Sequence, residues 1–290
     1  TKQAKEGKAR IEYSGSYTYK MVGLQPELMM ITNPSTSTSH TVSPLVKGPL
    51  PLASKVLLVG NSLMFYNCGV NGMLSGLAKS CGTPLEVTMV GIGGAGLYWH
   101  DVKSYLRPNG LRSYRINENN VFEFIDYSNS PIFDAVIMVD STQGPIHPKL
   151  KPLFQEFAER HCKTVRESGA EPYLMISWGY SDRPGMTKDL ADSIIETANA
   201  NNCRAIPCGI AFEQAMKIRP DLSLIRSDRR HPTPAGTLLE AAVFYSTLTG
   251  KSAVGSDYCG RFTDMRVTND DAQFLYQIAW DTVRTFYDLN

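Results

Sequence analysis

From residue 55 onward, apolar runs of strand length alternate with stretches of helical periodicity, and no other feature restricts the fold as strongly. Runs suited to strands fall at 55–60, 85–91, 133–139, 172–177 and 203–208. Between and after them, apolar residues recur at helical spacing over 70–81, 153–168, 187–201, 236–249 and 270–287. The first such series is Val70, Met73, Leu74, Leu77, Ala78 and Cys81; steps of three and four residues bury one face of a helix. Strands separated by helices pair in parallel and are covered on both faces. The expected fold is therefore α/β, three layers deep (α/β/α), around a mostly parallel five-stranded sheet.

Residues 1–50 have a different character. Ile11, Tyr13, Tyr17, Tyr19 and Met21 form an interrupted alternation that suits a strand or hairpin, and Thr32–Ser39 has the composition of a linker. The reading is an N-terminal extension over 1–50 and one main domain over 51–290. The extension either wraps that domain or meets a neighbouring chain. The last helix, 270–287, packs back on the domain or contacts another subunit, so a homo-oligomer stays open.

A formal charge of +1 in 290 residues argues against nucleic acid as a partner held by bulk electrostatics. No apolar run approaches the roughly 18–20 residues of a membrane span. Six cysteines (Cys68, Cys81, Cys162, Cys203, Cys208 and Cys259) match no zinc or redox spacing, so no metal site is expected. Cys81 and Cys162 fall on apolar helix faces and read as packed thiols. The even count permits disulfides in an exported protein, and export is the compartment toward which the sequence leans.

The chemistry concentrates at two distant stretches. Lys55–Ser62 begins as a buried strand and breaks at Gly60-Asn61-Ser62, which puts a serine at a strand end with a helix just beyond. Asn-Ser there is equally consistent with a plain turn or cap. Far away, Ser227-Asp228-Arg229-Arg230-His231-Pro232 sets a carboxylate three residues before an imidazole, in a turn stiffened by prolines. A serine hydroxyl needs a base to take its proton, and a histidine base needs an acceptor on its other nitrogen. Asp-x-x-His alone is a weak signal; joined to a strand-end serine it suggests a nucleophile with its base.

These residues resemble the SGNH hydrolases, the GDSL-type esterase and lipase superfamily. Gly60-Asn61-Ser62-Leu63 is similar to that family's first block, with Asn where Asp is more usual. Asp228 through Gly236 is similar to its last block, and Gly93-Gly94-Ala95-Gly96-Leu97 follows a strand where the second block lies. The resemblance covers roughly residues 55–250. It implies a flavodoxin-like sheet, Ser62 as nucleophile, His231 as general base and Asp228 as its orienting partner. The backbone N–H groups of Ser62 and Gly94 would bind the oxyanion, and no cofactor would be required.

The third block departs from the family's Gly-x-Asn-Asp, reading Val139-Asp140-Ser141-Thr142-Gln143-Gly144-Pro145. Ser141 replaces the donor asparagine by position, and Gln143 is the better amide donor by chemistry. Asn61, Trp178, Arg230 and His100 are further candidates for contact with substrate, each with a structural alternative: a cap, a packed aromatic, a solvated turn, a satisfied core histidine. Arg226, Arg229 and Arg230 together could hold an anionic group. His147 and His161 have no expected partner, and His161 is placed on a helix flank. The loops at 95–130 and 179–187 are expected to shape the pocket. The expected activity is hydrolysis of a small acyl ester, with acetyl groups on a carbohydrate as one candidate. An acyltransferase on the same residues and a non-catalytic binding member are the alternatives.

Overall fold

Among the described residues, seven strands follow one another along the chain: β1 (Lys55–Gly60), β2 (Glu86–Gly91), β3 (Tyr114–Ile116), β4 (Phe122–Phe124), β5 (Ala135–Met138), β6 (Glu171–Met175) and β7 (Arg204–Ile206). They belong to a computed structural model that describes residues 40–48, 51–117, 119–128, 131–183 and 185–289. The expected strand or hairpin near residues 11–21 lies outside the described residues.

Five of the strands make one sheet in the order β2-β1-β5-β6-β7, and every pairing in it is parallel. The expected "mostly parallel" sheet is thus wholly parallel, in the flavodoxin-like order. Its central strands read Val56–Val59 and Ala135–Met138 because both faces are covered, and all these side chains are fully buried. The order reverses at β1, so the C-terminal ends of β1, β2 and β5 meet at one edge, where open sheets of this kind place ligands.

The helices are α1 (Ser62–Phe65), α2 (Val70–Ser80), α3 (Val102–Tyr105), α4 (Lys151–Glu167), α5 (Met186–Ala200), α6 (Cys208–Ile218), α7 (Pro234–Thr249) and α8 (Asn269–Tyr287). Five match the periodic stretches to within about two residues. The helix expected directly after the serine is two helices: the single turn α1 starts at Ser62, and the amphipathic α2 begins only at Val70. α6 was not foreseen. Pro207 caps it, so the apolar run that reads as one strand over 203–208 stops pairing at Ile206 and continues as helix.

α7 is buried on every side from Ala235 to Thr249. It is wedged between α2, α6 and α8, which explains an apolar pattern with no polar face. α8 packs along it and is pinned elsewhere by Thr282 Oγ1 donating to Gln214 Oε1 (2.9 Å) and Tyr287 OH donating to the Ala205 carbonyl (2.8 Å). Before β1, the Thr41 and Val42 N–H groups donate to Asp192 of α5 at 2.6 and 2.9 Å.

β3 and β4 form a separate antiparallel hairpin. The loop expected to shape the pocket over 95–130 therefore divides. Its first part stays at the strand-end edge, while the hairpin lies over a cavity of about 260 Å³ lined by Lys55, Glu86, Arg112 and Phe124. Lys55 and Glu86 begin β1 and β2, so that cavity is at the opposite end of the sheet from Ser62. The six cysteines are free thiols, with the Cys162 and Cys203 sulfurs 3.7 Å apart in the core. Among the described residues no helix is long and apolar enough to cross a membrane.

Candidate active site

β1 ends at Gly60, and Asn61 caps the single turn that follows by accepting from the Leu63 N–H at 3.1 Å. Asn61 is only 2% exposed, and its Nδ2 donates to the carbonyls of Ala95 (2.9 Å) and Asp140 (3.0 Å). One buried amide thus ties the loops after β1, β2 and β5 together, which fixes where Ser62 sits.

Ser62 Oγ lies 2.9 Å from His231 Nε2, and His231 Nδ1 lies 2.8 Å from Asp228 Oδ2. The carboxylate makes Nδ1 the protonated nitrogen, which leaves Nε2 to accept from the serine. Asp228 and His231 can converge from three residues apart because the turn closes on itself. Ile225 bridges to Pro232, the Arg226 N–H donates to the His231 carbonyl at 2.8 Å, and Arg229 takes a left-handed φ of 69°. Asp228 Oδ1 accepts from the backbone N–H groups of Arg230 and His231, both at 3.0 Å. Partial burial pushes the Asp228 carboxyl up, but the hydrogen bonds from the His231 backbone and ring and from Arg230 outweigh it and bring it down to about 2. The acid is therefore ionised across the whole range in which a histidine base works.

Beside Asn61, the loop after β2 turns at Gly94, whose φ of +72° is a conformation that a side chain would strain. Among the described residues the Ser62 and Gly94 N–H groups have no protein acceptor. Asp140, after β5, is 5% exposed. Its Oδ2 accepts from the Leu97 N–H at 2.7 Å, and its Oδ1 accepts from Ser141 Oγ at 3.1 Å. Burial is the larger influence and raises this carboxyl to about 6, against the lowering effect of the Leu97 and Ser141 bonds.

The comparisons with known proteins bear on the fold. No family model and no curated protein matches the sequence. Among solved structures, a protein from Slackia heliotrinireducens, provisionally described as an SGNH hydrolase, superposes with a TM-score of 0.51 at 21% identity, over 68% of this chain and 99% of its own. The chain has the SGNH-hydrolase fold. A DUF4886 family protein from Bacteroides uniformis superposes with a TM-score of 0.53 at 15% identity, over 82% of this chain and 96% of its own. An acetylxylan esterase from Geobacillus stearothermophilus gives a weaker likeness, with a TM-score of 0.48 and 16% identity over 71% of this chain and 98% of its own.

On this SGNH frame the remaining candidates separate. The Asn61 side chain is nearly fully buried and consumed by internal bonds. Trp178 is fully buried, stacked on Phe212 at 4.0 Å, and its Nε1 donates to the Arg230 carbonyl at 2.8 Å. It therefore supports the turn that carries His231 instead of walling a pocket. His100 and His161 are both buried, chiefly by which their pKa values are lowered. His161 lies on α4, as expected, and hydrogen-bonds through Nε2 to the Leu97 carbonyl at 3.0 Å, a partner the sequence did not name. His147 Nδ1 accepts from the Lys149 N–H at 3.2 Å.

In the third block, Ser141 spends its hydroxyl on Asp140, while Gln143 Nε2 donates to Tyr180 OH at 3.3 Å and retains a second amide hydrogen. Of the three arginines, Arg229 pairs with Asp182 at 2.7 Å and Arg226 lies over the Tyr66 ring at 5.8 Å, whereas the Arg230 side chain is exposed. The loop at 179–187 does border the site, since the Ser181 N–H donates to the Arg229 carbonyl at 3.0 Å.

Sequence reasoning missed Asp140 and Tyr66. Asp140 stood in plain view beside Ser141, but only the folded strand ends reveal what it holds. Tyr66 follows Ser62 by four residues, a spacing that one helical turn converts into a shared face.

Proposed function

We propose that the chain is a serine hydrolase acting on small acyl esters through Ser62, His231 and Asp228. The observation that carries this reading is the unbroken line of hydrogen bonds from Ser62 Oγ to His231 to Asp228. Ser62 Oγ attacks the ester carbonyl while His231 Nε2 takes its proton. The carbonyl oxygen, now negative, lies against the Ser62 and Gly94 N–H groups, with the Gln143 amide as third donor. One such donor is worth about a hundredfold or more in rate. The tetrahedral intermediate collapses as His231 returns the proton to the leaving alkoxide. Water, deprotonated by the same histidine, then releases the acid and restores the serine. Asp228 keeps its negative charge throughout and stabilises the imidazolium.

A carbohydrate carrying acetyl groups is the substrate class we favour. Ser62 is half-buried at an edge where Gly93, Gly94 and Arg230 are exposed. A half-buried serine beside these exposed residues suits a short acyl group on a bulky polar carrier better than a long chain needing an apolar tunnel.

The test is intact mass after exposure to a small fluorophosphonate, wild type against Ser62→Ala. An adduct on the wild type alone is expected. A folded wild type that stays unmodified from mildly acid to mildly alkaline pH would return the chain to the non-catalytic alternative.

A further inference from the structure

The imidazole of His231 is held at two edges, by Asp228 and by Ser62, and both bonds lie in the ring plane. The Ser62 bond must also break in each half of the proposed reaction, when Nε2 passes its proton to the leaving group and then serves water. During those moments the carboxylate alone cannot fix the tilt of the ring about the axis through Nδ1. Something must bear on its face.

Tyr66 does. Its ring lies flat on the imidazole, with centroids 3.9 Å apart and planes 8° from parallel. Ser62 and Tyr66 are the first residue and the C-cap of the same helical turn, and the Tyr66 N–H donates to the Ser62 carbonyl at 3.4 Å. One turn of helix therefore presents the hydroxyl to the edge of the imidazole and an aromatic face to its plane.

The chain after Tyr66 carries a second, independent sign. Asn67, Cys68 and Gly69 follow one another with φ of 53°, 61° and 87°. Two successive left-handed residues that are not glycine are strained, and such strain persists only where surrounding contacts impose it. Here the contact is Asn67 Nδ2, which donates to the Pro232 carbonyl at 3.0 Å and to Thr237 Oγ1 at 2.8 Å. Pro232 follows His231 directly. The strained turn is thus bolted to the segment that bears the imidazole, and Tyr66 cannot drift relative to it. Arg226, 5.8 Å from the Tyr66 ring, adds a cation to the stack while its N–H holds the His231 carbonyl.

We propose that Tyr66, anchored by Asn67, is a positioning residue for His231, keeping the imidazole plane aligned while its Nε2 exchanges partners. This rests on the serine-hydrolase reading above. The role belongs to the ring face, so the phenol oxygen is dispensable to it.

The experiment uses the full chain as wild type, Tyr66→Phe, Tyr66→Leu and Asn67→Ala, with thermal midpoints recorded for each. It measures the rate of fluorophosphonate labelling of Ser62, and kcat and KM on p-nitrophenyl acetate. Tyr66→Leu is expected to lose about tenfold to a hundredfold in labelling rate and in kcat, the range that follows from a misaligned catalytic group, with KM within about twofold. Tyr66→Phe is expected to recover most of that loss, and Asn67→Ala to show a smaller fall in kcat at unchanged KM.

Labelling of Tyr66→Leu as fast as wild type would overturn the proposal. So would a change confined to KM, which would make the ring a substrate wall, or a Phe variant as weak as the Leu variant. If Tyr66→Leu does not fold, Asn67→Ala decides alone: an unaltered kcat there overturns the anchoring. A wild type that never labels would instead defeat the hydrolase reading itself, a result distinct from all of these.

Discussion

Ser62 rises from a sealed floor, whereas Asp228 stands at the surface. Below the serine, Asn61 and Asp140 are almost wholly buried, and their polar atoms are engaged by Leu63, Ala95, Leu97 and Ser141. The Asp228 side chain is 41% exposed and is held mainly by its own turn, through the N–H groups of Arg230 and His231. The serine side is thus built from long-range bonds between three strand ends, and the Asp228 side from short-range bonds within one loop. Damage below the serine has to cost folding, while damage at the acid can cost chemistry with the fold intact.

The largest effect expected from this contrast is at the acid. Asp228→Asn leaves the shape of the turn but lets His231 take the wrong tautomer, so kcat falls about a thousandfold to ten-thousandfold. The urea midpoint moves little. A stability loss as large as the activity loss would erase the difference between the two sides.

Asn61→Ala reverses the pattern. It strands the Leu63 N–H and the Ala95 and Asp140 carbonyls. Unsatisfied buried groups cost about 1–3 kcal/mol each, and with partial relaxation the unfolding free energy should drop by about 2–4 kcal/mol in a urea titration.

Asp140 gives a pH signature that the acid side lacks. Unfolded, its carboxyl ionises near its ordinary 3.8, but folded it holds its proton up to about 6. The folded state binds the extra proton across that window, so stability is lost as pH rises through it, by at most about 3 kcal/mol. Asp140→Asn keeps an acceptor for the Leu97 N–H and removes this slope. Chemical denaturation of both proteins between pH 4 and 7 (roughly the window named) reads it directly, and parallel curves would contradict the assignment.

The smallest effect belongs to Arg229. Its ion pair with Asp182 joins side chains that are 65% and 44% exposed. Arg229→Ala should change stability by less than about 1 kcal/mol. A larger loss would mean that the acid-bearing turn relies on its neighbour more than on itself.

Much of the fold was legible in the sequence because a parallel sheet demands continuous apolar strands and one-sided helices, and both demands leave periodic marks. α6 left none. Cys208-Gly209-Ile210-Ala211-Phe212 extends the apolar run of β7 without a polar interval, and only Pro207 marks the change. The hairpin was equally hidden, since Tyr114-Arg115-Ile116 and Phe122-Glu123-Phe124 are short and expose their aromatics. Ser62, Asp228 and His231 could be singled out because nucleophile chemistry restricts residue type as well as position. Asn61, Trp178 and His100 could not be placed from sequence, because a side chain that binds a ligand and one that binds its own backbone have the same name. Burial separates them, and burial is a property of the folded chain.

The helix that covers α7 carries a further consequence, one of timing. α7 starts two residues after Pro232, and α8 lies against it before ending at Tyr287, whose hydroxyl reaches back to β7. A ribosome delivers Ser62 before His231, and His231 before this cover. Until residue 287 has emerged, α7 has an apolar side without shelter and the turn holding His231 stands on unfinished ground. A chain released before residue 287 would therefore hold Ser62 without a steadied His231, and on the hydrolase reading it would lack reactivity.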